Sequence, residues 1–359
     1  MSGTIALAVY AFEQGGAALV GAYGIARTLP AALVAPVIMG LSDRVRRELL
    51  LRMATGVRAV LLCAAAVAAA AHGPAVVVIA LAAASSILAS TYRPLLIAIL
   101  PWLVRSPAQL GAVNVLATTM ESSGGLAGPV TAAALLAAGP AWLPVGVASG
   151  FLAAATLLLW RVRLYQHPGA GHARGSLLAG TVRGLGEMAR VAPPAGMAVL
   201  LFAQTFVKGA LSVLLVVLAL DVVQAGESAV GWLYAAMGVG GLAGGAVAAA
   251  VLRANRLGRA FVTGLLLWGL PLALLAPVPG TVTCLAALAV VGTGNAIQDV
   301  SGGTLTHRLF THAVLGRVLG AEELIVFAGG GIGAAAAAPL IAVTGARGTL
   351  ACWGWGWSC

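Results

Sequence analysis

Long uncharged runs recur along this chain, and they decide what it can fold into. The stretch from Cys63 to Ser90, "CAAAVAAAAHGPAVVVIALAAASSILAS", holds no Asp, Glu, Lys or Arg, and neither does "ALSVLLVVLAL" near residue 215. A helix rises about 1.5 Å per residue and the hydrocarbon core of a bilayer is about 30 Å thick, so roughly 20 such residues cross it. With 61% hydrophobic residues and a mean hydropathy of +1.02, the chain carries more apolar surface than water-soluble cores of its 359 residues would hide. The expected class is an all-α polytopic membrane protein. Its wealth of Ala and Gly favours helices that pack through small residues, because lipid offers no hydrophobic reward for helix pairing.

The formal net charge of +10 would suit nucleic acid if it lay on one surface, but its distribution points elsewhere. Alternate loops between the apolar runs hold Arg44, Arg46, Arg47 and Arg52, then Arg105, then the arginines from Arg161 to Arg190, then Arg253, Arg256 and Arg259, then Arg308 and Arg317. The intervening loops "EQGG", "AHGP", "AAGPA", "VQAGES", "PVPG" and "TGARG" hold Arg347 as their only cation. That asymmetry is the positive-inside pattern, so the basic loops are expected in the cytoplasm and no nucleic-acid partner is expected. The N-terminal run has no basic segment before it, which argues against a cleaved signal peptide.

The runs divide as 1–13, 16–41, 51–71, 74–101, 110–138 and 141–160, then a polar stretch, then 194–221, 228–252, 259–277, 280–303, 317–343 and 346–359. The organisation expected is a six-helix bundle over 1–161, a cytoplasmic linker over 162–193 and a second six-helix bundle over 194–359. The bundles read as copies. "VGAYGIARTLPAALVAPVIMGLSDRVRR" from Val20 aligns with "VGWLYAAMGVGGLAGGAVAAAVLRANRLGR" from Val230, and "LAVYAFE" ending at Glu13 with "LVVLALD" ending at Asp221. "LGAVNVLATTMESSGGLAGP" from Leu110 aligns with "LGRVLGAEELIVFAGGGIGA" from Leu315, which sets Gly128 opposite Gly333. The offset holds near 205 to 210 throughout, a parallel repeat. The same offset makes the first and last helices short, so truncated ends are expected.

Five charges crowd "MGLSDRVRREL" between two apolar runs: Asp43, Arg44, Arg46, Arg47 and Glu48. Preceded by Pro30, Pro36 and Gly40, this stretch resembles motif A of the major facilitator superfamily, a glycine, then Asp-Arg, then Gly-Arg-Arg/Lys. Met39 stands at the usual glycine position and Val45-Arg46 replaces the later glycine. The resemblance implies a cytoplasmic latch made by Asp43, Arg44 and Arg47. A carboxylate at a helix end can pair with a neighbouring helix dipole and with arginines, each weakly, as a switching contact should. Alternatively the arginines fix topology and grip anionic headgroups, the better reading for Arg46 and Arg52.

"TTMESSGGLAGPVTAAALL" carries Gly124-x-x-x-Gly128-Pro129-x-x-Ala132-Ala133, similar to motif C of the superfamily's exporters with alanine at the last pair. Glycines one turn apart admit a close neighbour, and Pro129 removes a backbone donor. The resemblance implies a dry, kinked seal on one side of a cavity; ordinary small-residue packing is the plainer alternative. "STYRPLLIAILPWLVRSPAQLGAVN" and "QDVSGGTLTHRLFTHAVLGRVLGAEE" resemble a bacterial branch of permeases and drug exporters.

Ionisable residues inside spans are costly and face the bundle interior or water, which makes them functional candidates. Glu121, one turn before Gly124, is the candidate proton carrier, with pairing to Arg27 or to nearby hydroxyls as the alternative. Gln204 and Lys208 share a face at i, i+4 in the seventh span. With Asn295 in the tenth and Arg27 in the second they are the candidate substrate-cavity residues; Asp299 is expected near the cytoplasmic surface. Because superfamily members build the cavity from the first, fourth, seventh and tenth spans, the resemblance ranks Lys208 and Gln204 above Arg27. Glu322 and Glu323 suit a helix N-terminus and the nearby arginines.

Together these readings predict a secondary active transporter, not an enzyme, of the superfamily's two-bundle fold. It would be a multi-pass, monomeric protein of a bacterial-type plasma membrane, exchanging a small molecule for protons and needing no cofactor. No Gly-rich loop ends in Gly-Lys-Ser/Thr, so no ATP site is expected. Cys63, Cys284, Cys352 and Cys359 lack metal-ligand spacing and read as small apolar residues. A proton-linked importer and a polytopic sensor that does not transport are the rival readings.

Overall fold

The structure is a computed structural model, and it describes residues 2–42, 47–92, 95, 107–161, 177–190, 192–253, 256–275, 280–310 and 312–355. Among these residues it is all helix: α1 Ser2–Ser42, α2 Arg47–Ala70, α3 Ala75–Ala89, α4 Pro107–Ala138, α5 Trp142–Arg161, α6 Leu177–Ala189, α7 Ala192–Val217, α8 Glu227–Arg253, α9 Leu257–Leu275, α10 Thr281–Leu309 and α11 His312–Trp355. Seven helical stretches among them are long and apolar enough to cross a membrane. The chain is a polytopic membrane protein.

Two helices contain the pairs of spans that the sequence separates. α1 bends at Gly15 and at Gly16, where φ is 60° and ψ −156°, and α11 breaks at Gly345, where φ is 70°. The turn before α8 uses Gly226 at φ 81°. Gly16 and Gly226 stand 210 positions apart, the offset of the repeat. A side chain at either would strain the left-handed backbone, so the two copies of the chain turn at matched glycines.

The repeat reappears in the packing between the N-terminal helices α1–α5 and the C-terminal helices α7–α11. A Cβ on Gly231 of α8 would stand 2.6 Å from the backbone nitrogen and the Cβ of Ala133 on α4; a Cβ on Gly21 of α1 would stand 3.2 Å from the Cβ of Ala338 on α11. One turn or two further along, Gly238 meets Leu126, and Gly331 meets Leu29 and Thr28. Each member of one pair lies 205 or 210 residues from its counterpart in the other. Two antiparallel helix pairs, α1 with α11 and α4 with α8, are thus related by the pseudo-symmetry of the fold. Small residues let these backbones approach, and dispersion contacts then replace lipid contacts. All four helices make this contact near the turns at 15–16, 139–141, 226 and 345, at the end of the bundle away from the basic loops.

Within the C-terminal helices, α8 and α10 touch backbone to backbone: Gly240 lies on Ala289, Gly244 on Thr293 and Gly292 on Met237. Gly264 and Gly294 do the same for α9 and α10. The polar stretch after residue 161 is not all irregular. It contains α6, whose Leu185 and Met188 pack with Phe310, Val318 and Ala321, tying the linker helix to the C-terminal helices.

Candidate functional site

A polar network joins α7 to α10 at mid-depth. Lys208 is the middle residue of the span Ala195–Asp221, and Asn295 lies within two residues of the middle of Thr281–Thr306. Asn295 is the hub: its Oδ1 accepts from Gln204 Nε2 at 3.3 Å and from Lys208 Nζ at 3.3 Å, while its Nδ2 donates to Asp299 Oδ2 at 2.9 Å. The helical period sets this up, since Gln204 with Lys208 and Asn295 with Asp299 are both i, i+4 pairs. Gln204 is buried, whereas Lys208 and Asp299 are exposed. A charge at mid-depth that faced lipid would cost about 2.5–3.5 kcal/mol, which favours an orientation of Lys208 toward the bundle interior or water. The structure brings together Gln204, Lys208 and Asn295 and adds Asp299, one turn further along α10.

Arg27 lies on α1, eleven residues past Gly16 and so about 16 Å from that end. Its guanidinium carbon sits 5.9 Å from the centroid of the Tyr23 ring, within cation–π range. Tyr23 is only 2% exposed, and its hydroxyl faces Thr4, Ser86 and Arg27. Tyr234 of α8 also lies within electrostatic range of Arg27. Tyr23 and Tyr234 escaped the sequence reading because a tyrosine inside an apolar run has no periodic signature. Among the described residues no group of three His, Cys, Asp or Glu is placed to hold a metal.

The sequence pattern of the Major Facilitator Superfamily matches residues 1–334. The chain belongs to that superfamily. Its fold is the superfamily's: a mutant of the nucleoside transporter NupG superposes with a TM-score of 0.78 at 16% identity, over 99% of this chain and 92% of that one. A POT family transporter in complex with 5-aminolevulinic acid gives 0.72 at 14% identity, over 98% and 90%. A bacterial homolog of the human lysosomal transporter Spinster, inward-facing and unoccupied, gives 0.66 at 12% identity, over 93% and 79%. No curated protein matches by sequence. At these identities the likeness is one of fold.

Of the residues carried over from superfamily motifs, Asp43 and Arg44 lie outside the described residues. Arg47 opens α2, and Glu121 lies in α4, but the side chains of both are likewise outside them. In α4, a Cβ on Gly124 or Gly125 would meet nothing within 4 Å. Pro129 is buried and Gly128 half-buried inside that helix, and the close approach described above falls at Ala133 against Gly231. Near the basic loops, Arg52 is more than a lipid-facing cation. Its Nε donates to the Leu159 carbonyl at 3.0 Å, its NH2 pairs with Glu48 at 3.2 Å, and its plane lies 5.7 Å from the Trp160 ring centroid, so it clamps α2 to α5. Glu322 accepts a hydrogen bond from Thr306 at 2.6 Å, joining α10 to α11.

Proposed function

We propose that this superfamily member exports a small molecule in exchange for protons, by alternating access between bodies formed by residues 1–161 and 194–359 and joined by 162–193. One observation carries the reading: the repeat-related contacts, Gly21 with Ala338 and Gly231 with Ala133, meet at one end of the bundle, while Lys208 and Asp299, joined through the half-buried Asn295, remain exposed further along it. With the basic loops in the cytoplasm, the closed end is extracellular and the chain faces inward. Weak, dry contacts between small residues suit such a gate, because two states exchange only when they differ by a few kcal/mol.

Outward direction is supported by the likeness of Gly124 to Ala133 to the exporters' motif, whose last alanine makes the closing contact with Gly231. In this reading Glu121 carries the proton, and Asp43, Arg44 and Arg47 form the latch that closes the cytoplasmic end in the opposite state. The protein works as a monomer in the plasma membrane of a bacterial-type cell.

Resistance profiling of cells expressing the chain tests this. Increased resistance to at least one compound, lost when the closing contact is blocked by Gly231→Val, is expected. Increased sensitivity through accumulation would instead establish import.

A further inference from the structure

Two carboxyl groups from the two repeats meet at the closed end. Glu13, three residues before the turn of α1 at Gly16, is hydrogen-bonded side chain to side chain with Glu227, the residue after Gly226 and the first of α8. An ionised carboxylate only accepts, so this contact needs one proton between the two groups. They titrate as a pair, because like charges at that distance do not both ionise readily. The helix ends divide the roles: Glu227, in the first turn of α8, is the better anion, whereas Glu13 closes a helical segment, where negative charge is disfavoured. Glu13 is exposed and Glu227 half-buried. The turns themselves do not require the pair, since the repeat sets Asp221 opposite Glu13 but Ala17 opposite Glu227. The other charged or titratable side chains at this end are Tyr10 on α1, His72 in the turn before α3, Asp221 just after α7, Cys284 on α10 and Arg347 beyond Gly345 on α11, whose side chain lies outside the described residues. Of these, Tyr10 lies within electrostatic range of Glu13.

We propose that a proton shared by Glu13 and Glu227 clasps the outer end shut, and that opening of this end releases it. The proposal rests on the alternating-access reading above and gives its outer gate a chemical control. In the closed state the Glu13 O–H donates to the Glu227 carboxylate. On opening, that hydrogen bond breaks, the Glu13 O–H bond gives its proton to outer water, and two separated carboxylates remain, so the pair passes from one negative charge to two. Only the closed state holds the proton firmly. Its advantage is therefore complete at low pH and lost as pH rises. In an exchanger of this kind, external protons drive the return to the inward-facing state.

The test is labelling of Cys284 by a membrane-impermeant maleimide in right-side-out vesicles, with the other three cysteines replaced by alanine, EDTA present, inner pH fixed and outer pH varied over about 5 to 8. Each rate is divided by that of Glu13→Gln at the same pH, so that ionisation of the thiol cancels. A glutamine donates to the Glu227 carboxylate with no proton to lose, and so keeps the clasp at every pH. The ratio of parent to Glu13→Gln should climb with pH, by up to about tenfold per unit, and then level off. Glu227→Gln should follow Glu13→Gln, whereas Asp221→Asn and Arg347→Gln should keep the parent's slope. A slope that survives in Glu227→Gln, or that vanishes in Asp221→Asn or Arg347→Gln, would overturn the proposal. A flat ratio beside faster labelling of Gly231→Val would overturn the clasp alone; a flat ratio with no faster labelling of Gly231→Val would overturn the outer gate together with it.

Discussion

Gly231 lies so close to Ala133 that a Cβ on the glycine would stand 2.6 Å from the alanine's backbone nitrogen. α4 and α8 therefore meet backbone to backbone at the closed end, and the counterpart pair, Gly21 and Ala338, does nearly the same for α1 and α11. Gly231→Val should prop this end open. Overpacking costs about 1–3 kcal/mol, which biases a two-state equilibrium by roughly 5- to 150-fold. Cys284 is fully buried near that end. With Cys63, Cys352 and Cys359 replaced by alanine, a membrane-impermeant thiol reagent added from outside should label Cys284 faster in Gly231→Val than in the parent. Equal labelling rates would mean that the contact does not gate this end.

Asn295 holds three side chains in register, those of Gln204, Lys208 and Asp299, and its loss should be felt in stability. Asn295→Ala removes the described acceptor of Gln204, which is 2% exposed. A buried amide left without a partner costs about 1–3 kcal/mol, so the Tm in detergent should fall. Asn295→Asp keeps an acceptor for Gln204 and Lys208 but neutralises the lysine and sets a second carboxylate beside Asp299. It should hold more of the Tm than alanine does.

Glu121→Gln separates carrying from coupling. A glutamine cannot release a proton, so a pH gradient should no longer drive net movement in proteoliposomes, while exchange of solute for solute across the same membrane continues. Gradient-driven transport surviving unchanged in Glu121→Gln would remove this residue from the coupling step.

Arg52 clamps α2 to α5 through a carbonyl, a carboxylate and an indole face. Arg52→Ala should lower the Tm through lost packing as well as lost charge, on the order of 1–3 kcal/mol. Arg52→Lys should recover only part, since an ammonium cannot both lie flat on Trp160 and reach Leu159 and Glu48. Full recovery by lysine would show that charge alone matters there.

Much of this molecule is readable along the chain. The spacing of Gln204 with Lys208, and the presence of Asn295 in an apolar run, mark them as residues that need partners, because a polar group in a span must find a partner or water, and the structure joins them by hydrogen bonds. Asp299 was harder. Its position near a helix's basic end says surface, and only its hydrogen bond to Asn295 places it in the network. Arg52 read as a topological signal because its partners, Leu159 and Trp160, are more than a hundred residues away. For α4, the stretch from Gly124 to Ala133 marked a helix able to pack closely, but which of its small residues touches a neighbour depends on the rotation of the whole helix about its axis.

Span length, the alternation of Arg-rich and Arg-poor loops and the offset near 210 are properties of local sequence. They follow from bilayer thickness, charge and backbone sterics, and the sequence by itself determined them. That Gly231 meets Ala133, that Lys208 bonds to an amide instead of a carboxylate, and that Tyr23 is buried beside Thr4, Ser86 and Arg27 were decided only by the tertiary structure. Each is a contact between helices distant along the chain, and in a bilayer such contacts are selected by the fit of whole surfaces, with no hydrophobic force between helices to announce them in the pattern of residues.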